Sequence, residues 1–125
     1  MGIWFREPAV ASDERVLFRA TANRLINVGE MRGGRLVVTD RRVIFEPNRL
    51  DRLVGAEPWV VESHAIRDAV SAPGGKEGVA KFGLAGKRPH LALLADGVQP
   101  GVFAVRDTDG LRAAVDTSRG RPQAG

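Results

Sequence analysis

The sequence contains no cysteine among its 125 residues. A disulfide framework, a thiolate zinc site and a cysteine nucleophile are therefore excluded. Long hydrophobic runs are also missing, since no stretch approaches the ~18 uninterrupted apolar residues that a transmembrane helix needs. The N-terminus, MGIWFREPAV, has neither the basic n-region nor the long apolar stretch of a secretory signal. These absences predict a cytoplasmic protein without a transmembrane segment.

Catalytic groupings are missing in the same way. Only two histidines occur, and His64 has no second His, Asp or Glu at a metal-ligand spacing. There is no GxSxG motif and no clustered Asp/Glu motif, and the carboxylates fall in turns or beside arginines, as surface charges do. The sequence predicts a protein without enzymatic activity, metal or cofactor.

Charge of one sign is not concentrated anywhere. The 19 basic and 15 acidic residues leave a net charge of +4, which mildly favours anionic partners. A nucleic-acid surface needs aromatic residues interleaved with basic ones, and only Phe82 lies near the lysines. Nucleic-acid binding is therefore disfavoured. An apolar content of 43% in 125 residues is enough for one domain with its own core.

The strongest pattern is a hairpin over residues 33–47, GGRLVVTDRRVIFEP. A two-residue turn at Asp40-Arg41 places Val38 opposite Val43 and Leu36 opposite Phe45. Because side chains alternate along a strand, these four residues share one apolar face. The other face carries Val37 with Ile44, between the pairs Thr39/Arg42 and Arg35/Glu46. A slip by one residue would turn Arg35 and Arg42 towards the core, so the register is well determined.

The chain before this hairpin divides into an extension and a strand. Residues 1–13 form an N-terminal extension whose cluster Ile3-Trp4-Phe5 either docks on the fold or anchors in a membrane interface. Residues 14–28 alternate and predict one long, bent strand, with a helix as the competing interpretation for ATANRLI. Residues 29–34 are predicted to be a glycine-rich turn.

Further strands are predicted after the hairpin. Residues 48–56 form an exposed excursion, and strands follow at 57–62, 66–70, 90–95 and 99–105. A short strand around 79–84 is expected within a flexible hairpin over 72–89. Asp107-Thr108-Asp109 is a helix N-cap sequence, followed by Leu111, Ala114 and Val115 on one helical face. The domain is thus expected to cover residues 14–117, with a disordered tail over 118–125.

About seven antiparallel strands followed by one helix indicate a mainly β sandwich or small barrel, capped by the C-terminal α-helix. The sequence GRLVVTDRRVIFEPN, with Trp59-Val60-Val61 and Ile66 downstream, resembles the GRAM domain, a member of the pleckstrin-homology superfamily. The resemblance covers roughly residues 14–106. The residues that carry it are Gly34, Leu36, Val38, Thr39, Arg42, Val43, Phe45, Pro47, Trp59 and Ile66.

The resemblance implies a pleckstrin-homology-like barrel and a non-enzymatic module that binds phosphoinositides, other membrane lipids or proteins. Lipid sites of this superfamily usually place several basic residues in the first strand-strand loop, where this chain has only Arg32, beside Glu30. The arginine-rich and alanine-rich composition is typical of a high-GC bacterium, where phosphoinositides are less commonly available. Diffuse attraction to an anionic surface is therefore expected instead. The candidate residues are Arg49, Arg52, Lys76, Lys81, Lys87 and Arg88.

Two functions of different classes follow. The first is an interaction module that binds a protein partner or an anionic membrane surface, placing the protein peripherally at the membrane. The second is a structural role, in which the protein oligomerises through the edge strands of the barrel.

Overall fold

The computed structural model of the protein describes residues 8–27, 30–49, 53, 55–72 and 90–120. Its strands form one seven-stranded antiparallel sheet in the order β4-β3-β2-β1-β7-β6-β5. The elements are β1 (Val16–Asn27), β2 (Glu30–Thr39), β3 (Arg42–Pro47), β4 (Trp59–Glu62), a 3-10 helix (Ser63–Ala65), β5 (Ile66–Ala72), β6 (His90–Ala95), β7 (Gly101–Ala104) and the helix α1 (Thr108–Ser118). The predicted mainly β architecture with a C-terminal helix is confirmed.

The central hairpin has the predicted register. Val38 pairs with Val43, Leu36 with Phe45, and Arg35 with Glu46. The four residues predicted to share the apolar face are fully buried in the core. The Phe45 ring lies 5.5 Å from the Phe103 ring of β7, centroid to centroid, so this face of the hairpin packs against the opposite side of the domain.

Helix α1 closes the core by the contacts that its periodicity predicts. Leu111, Ala114 and Val115 are buried and belong to the main core cluster. Asp107 is the N-cap, and its Oδ1 accepts a hydrogen bond of 2.9 Å from the Gly110 amide. Such a bond satisfies one of the amides that lack a partner in the first turn of a helix.

The C-terminal end of α1 is attached to the barrel. The Ser118 hydroxyl donates to the Thr39 carbonyl and contacts the Ser63 hydroxyl. Arg119 Nη2 donates to the Arg67 carbonyl at 2.8 Å. The helix therefore continues one residue past the expected domain limit at 117, and the limits 14–117 stay a prediction.

One local prediction is wrong and another is confirmed. Residues 30–34 belong to β2, so the turn predicted over 29–34 is mostly strand. The segment ATANRLI belongs to the predicted long strand and not to the competing helix, because it pairs with β2 along nearly its whole length. Glycine is rare in strands, which is why Gly33-Gly34 resembles a turn, but here the missing side chain lets two strands approach closely.

Gly34 shows this close approach directly. A Cβ placed on Gly34 would lie 2.2 Å from the Glu46 carbonyl oxygen and 2.9 Å from the Pro47 Cα. Both atoms belong to the backbone of β3, so neither can move away as a flexible side chain would. Gly34→Ala should therefore lower the free energy of unfolding by about 2 kcal/mol, as overpacking does, in urea denaturation followed by circular dichroism.

The adjacent glycine is the matched control. A Cβ on Gly33 would approach only the side chains of Asn48 and Asn23, at 3.3 and 3.4 Å. We expect Gly33→Ala to change stability much less than Gly34→Ala. Equal losses for the two variants would show that the β2–β3 approach is not what requires glycine.

Candidate functional site

A cleft with a volume of about 270 Å³ opens at the end of β1, β2 and β3 that lies opposite the Asp40-Arg41 turn. The last residues of β1, the first residues of β2, the β3–β4 connection and the β6–β7 turn meet there. Its lining residues are Arg24, Ile26, Arg32, Phe45, Gly55, Ala56, Glu57 and Gln99. We call it the arginine cleft.

Two arginines face each other across the β1–β2 ladder in this cleft. Arg24 and Arg32 are direct partners in the register, so their side chains lie on the same face of the sheet. Arg24 Nε is buried and has no hydrogen-bond partner among the described residues. Burial also lowers the Arg24 pKa from its usual value. A desolvated donor without a hydrogen-bond partner is unfavourable.

Exposed apolar side chains occur in the segments that form the arginine cleft. Ile26 lines the cleft and is 37% exposed, and Leu53 (83% exposed) and Val98 (42%) lie within two residues of a lining residue. We call these three residues the apolar rim. Three other large apolar side chains of the described residues are comparably exposed: Met31, which lies on the opposite face of β2 from Arg32, Val60 and Leu94.

The basic residues predicted from the sequence can be only partly located. Arg49 is exposed in the β3–β4 connection, near the segment that lines the arginine cleft. The other candidates lie outside the described residues: Arg52, Lys76, Lys81, Lys87 and Arg88. The cluster Ile3-Trp4-Phe5 and the predicted strand at 79–84 also lie outside them, so these expectations stay predictions.

Most residues that carry the family resemblance have structural roles. Leu36, Val38, Val43, Phe45, Trp59 and Ile66 belong to the main core cluster, and Gly34 pairs with Pro47. Trp59 Nε1 donates a 3.0 Å hydrogen bond to the Gln99 carbonyl, which ties β4 to the β6–β7 turn. This bond fixes the position of one wall of the arginine cleft.

Thr39 and Arg42 both bind Glu14, a contact that the sequence pattern did not predict. The Glu14 carboxylate accepts bonds from Arg42 Nε at 2.9 Å and Arg42 Nη2 at 3.1 Å, and from the Thr39 hydroxyl. The Ala11 amide also donates to it at 2.9 Å. Hydrogen bonding to Arg42 lowers the Glu14 pKa to about 2, against the opposing effect of burial. This cluster lies at the hairpin end, away from the arginine cleft.

Neither histidine forms a catalytic grouping with described residues. His64 is exposed in the 3-10 helix. His90 is buried at the start of β6, and neither of its ring nitrogens has a hydrogen-bond partner in the part of the chain that the structure describes. Burial lowers the His90 pKa. The described residues contain no group of three or more His, Cys, Asp or Glu that could hold a metal ion.

Arg24 is not among the site residues predicted from the sequence, and Arg32 is predicted only as a loop residue. The assignment of residues 29–34 to a turn hid the pairing that brings the two arginines together. The hairpin register, continued back through Glu30–Gly34 as part of β2, is the signal that would have paired Arg24 with Arg32.

No helix in the described ranges is long and apolar enough to cross a membrane.

Comparison with known proteins gives neighbours among solved structures only. No family model and no curated protein matches the chain. The C-terminal domain of an unknown protein from Leishmania infantum superimposes with a TM-score of 0.60 at 13% identity, over 86% of both chains. The Vps36 N-terminal PH domain gives 0.57 at 17% identity, over 90% of this chain and 83% of that one.

A third neighbour contains a similar fold within a larger protein. The linker-DH/PH domains of p115-RhoGEF give a TM-score of 0.57 at 6% identity, over 92% of this chain and 32% of that chain. Likeness at such identities is informative about the fold alone. The chain has a pleckstrin-homology-like fold, as the sequence predicted.

Proposed function

We propose that the protein is a non-enzymatic interaction module of the GRAM type that binds anionic membrane surfaces through the arginine cleft. The observation that carries this proposal is the Arg24–Arg32 pair in a cleft bordered by the apolar rim. An anionic group in the cleft would provide an acceptor for Arg24 Nε, which has none among the described residues.

The apolar rim favours a membrane over a protein as the source of the anion. Ile26, Leu53 and Val98 come from three separate segments, the end of β1, the β3–β4 connection and the β6–β7 turn. Apolar side chains next to basic ones are the arrangement by which peripheral proteins enter the boundary between head groups and acyl chains. The arginines would then meet the head groups while the rim enters the interface.

The basic residues predicted from sequence are the second part of this proposal. Arg49, Arg52, Lys76, Lys81, Lys87 and Arg88 would add diffuse attraction of about 1 kcal/mol each, where they face an anionic surface. The protein would then reside in the cytoplasm and bind peripherally to the membrane.

Assembly through edge strands has less support. The free edge of β5 is occupied by side chains, because Arg119 Nη2 binds the Arg67 carbonyl at 2.8 Å and the Asp68 carboxylate binds the Ala69 amide at 2.8 Å. Arg112 Nη2 adds a 2.7 Å bond to the Ser71 hydroxyl. Edge groups that are already bound cannot template a further strand without breaking these bonds.

Co-sedimentation with vesicles tests the proposal. Vesicles of phosphatidylcholine with and without phosphatidylglycerol should bind the protein only when the anionic lipid is present, and less strongly at high salt. The double variant Arg24→Ala/Arg32→Ala should bind roughly 30-fold more weakly, because each basic residue near the surface contributes about 1 kcal/mol. Leu53→Ser should weaken binding about tenfold, as expected for losing burial of a leucine side chain.

Matched variants control for charge and hydrophobicity. Arg106 is an exposed arginine beyond the end of β7, and Val60 is an exposed apolar residue of β4; neither lines the arginine cleft. Arg106→Ala and Val60→Ser should bind vesicles nearly as the unmodified protein does. Equal binding by the arginine double variant, with its fold verified by circular dichroism, would refute the proposed site. If the protein bound no vesicle at either low or high salt, the result would favour a protein partner.

A further inference from the structure

The outer face of the central hairpin is buried although it points away from the core. Val37 and Ile44 are cross-strand partners on the face opposite to Leu36 and Phe45. Val37 is 1% exposed and Ile44 is 5% exposed, yet neither belongs to an apolar cluster formed by the described residues. Because this burial occurs in a single chain, the cover comes from the same chain and needs no second copy or partner. We call Val37 and Ile44 the outer hairpin face.

The buried part of this face is two strands wide. Along the same row of the sheet, Val37 pairs with Arg19 of β1, and Ile44 pairs with Val60 of β4. Arg19 is exposed and Val60 is 45% exposed, so the burial stops at both neighbours. Neighbouring strands lie about 4.8 Å apart, which makes the covered strip about 10 Å wide. That width fits a single polypeptide segment lying across the hairpin.

The chain before β1 is attached beside this face. Arg42 lies two residues before Ile44 in β3, and its side chain points to the same side of the sheet. Its guanidinium binds the Glu14 carboxylate. It also donates a 3.2 Å hydrogen bond from Nη2 to the Ala9 carbonyl. Pro8, the first described residue, is buried. The N-terminal part of the chain therefore reaches the outer side of the hairpin next to Ile44.

We propose that the cluster Ile3-Trp4-Phe5, which lies outside the described residues, docks on the outer hairpin face and covers it. Phe5 lies four residues before Ala9, a reach of up to ~14 Å in an extended chain. Ile44 lies only about 7 Å from Arg42 along the strand. Each aromatic side chain can bury about 150–250 Å², so two of them suffice for a strip of this width.

Tryptophan fluorescence tests the docking in the unmodified protein. Trp4 and Trp59 are its two tryptophans, and Trp59 is only 5% exposed. If Trp4 is docked, acrylamide should quench little of the emission, whereas a free Trp4 would make about half of it accessible to the quencher. Ile44→Ser should raise the accessible fraction from almost none to about half, because a buried hydroxyl without a partner disfavours docking.

Val60→Ser is the matched control, because Val60 is the partner of Ile44 in β4 but is already 45% exposed. This variant should leave Trp4 as well protected as in the unmodified protein. Circular dichroism verifies that both variants keep the fold. Ready quenching of Trp4 in the unmodified protein, or protection that survives Ile44→Ser, would overturn the inference.

A double-mutant cycle tests the same contact if Ile44→Ser does not fold. Trp4→Ala and Ile44→Ala should each lower the urea midpoint, and the double variant should lose less than the two effects combined. We expect a coupling of about fivefold in the unfolding equilibrium constant. Trp4→Ala with Val102→Ala is the control pair, since Val102 is buried in a separate apolar cluster, and its effects should combine without coupling. Absence of coupling between Trp4 and Ile44 would likewise contradict docking.

Vesicles and dilution distinguish docking from its alternatives. Trp4 should be protected from the quencher without lipid and at every protein concentration. Protection that appears only with anionic vesicles would show that the cluster anchors in a membrane, and protection that is lost on dilution would show exchange of the segment between two copies. Either result would overturn the inference. Trp4→Ala should leave vesicle binding unchanged, because the arginine cleft opens at the end opposite the Asp40-Arg41 turn. Docking and the proposed membrane function can therefore fail independently.

Discussion

Replacement of Phe45 by alanine is expected to lower the free energy of unfolding by about 3–5 kcal/mol, the usual cost of deleting a buried phenylalanine ring. Phe45 has no exposed surface. Its ring lies 5.5 Å from Phe103, which in turn lies 5.4 Å from the ring of Trp59 in a T-shaped arrangement. Loss of the ring would thus leave a cavity in a three-membered aromatic cluster that joins β3, β4 and β7.

Urea denaturation provides the measurement. The midpoint should fall without a large change in the m-value, since the fold and the area exposed on unfolding are retained. Val60→Ala is the control, because Val60 is an apolar residue of the neighbouring strand β4 but is about half exposed. A loss under ~1 kcal/mol for Phe45→Ala, or a similar loss for both variants, would contradict the assignment of the hairpin faces.

The central hairpin was predictable because all its determinants are local. The Asp40-Arg41 turn is short, alternation is strict, and only one register keeps Arg35 and Arg42 out of the core. The observed pairs match this register residue by residue. Helix α1 was predictable for the same reason, since its cap and its apolar face occur within one short segment.

The arginine cleft was not predictable because the β2 segment that contributes to it has the composition of a turn. Gly33-Gly34 has the composition of a turn, and glycine inside a strand signals close approach only when the facing strand is known. With that segment assigned to a turn, no strand pairing connects Arg24 with Arg32. Their pairing depends on the β1–β2 register near the open end, beyond the residues that set the hairpin.

The arginines have different surroundings at the two ends of the barrel. At the hairpin end, Arg41 forms a 2.7 Å ion pair with Asp13, and Arg42 binds Glu14 through two nitrogens. At the cleft end, Arg24 Nε is buried without an acceptor in the described part of the chain, and the nearby Glu57 stays unpaired there. The ion pairs at the hairpin end stabilise the fold. At the cleft end, a ligand would supply the missing partners of Arg24 Nε and Glu57, and we therefore place the proposed site there.

Glu14→Gln should reduce the free energy of unfolding at pH 7 by about 3 kcal/mol and also change its dependence on pH. The Glu14 carboxyl has a pKa of about 2 in the folded protein, against 4.5 for an unperturbed glutamate. Each unit of difference corresponds to about 1.4 kcal/mol, so the ionised carboxylate stabilises the fold by about 3 kcal/mol. The side chain is only 1% exposed, so solvent screening is small. Glutamine keeps the shape but removes the charge that Arg42 binds.

The sign of the pH effect follows from the lowered pKa. The contribution of Glu14 is complete above pH 4.5 and is lost as the pH falls from 4.5 towards 2, because the unfolded chain takes up the proton first. Urea denaturation at several pH values should show a shallower decline over this window for Glu14→Gln than for the unmodified protein. Asp13→Asn is the control: the Asp13–Arg41 pair is mostly exposed, and such pairs contribute little. A pH profile unchanged by Glu14→Gln, or an effect of Asp13→Asn as large as that of Glu14→Gln, would show that the buried carboxylate does not stabilise the hairpin end.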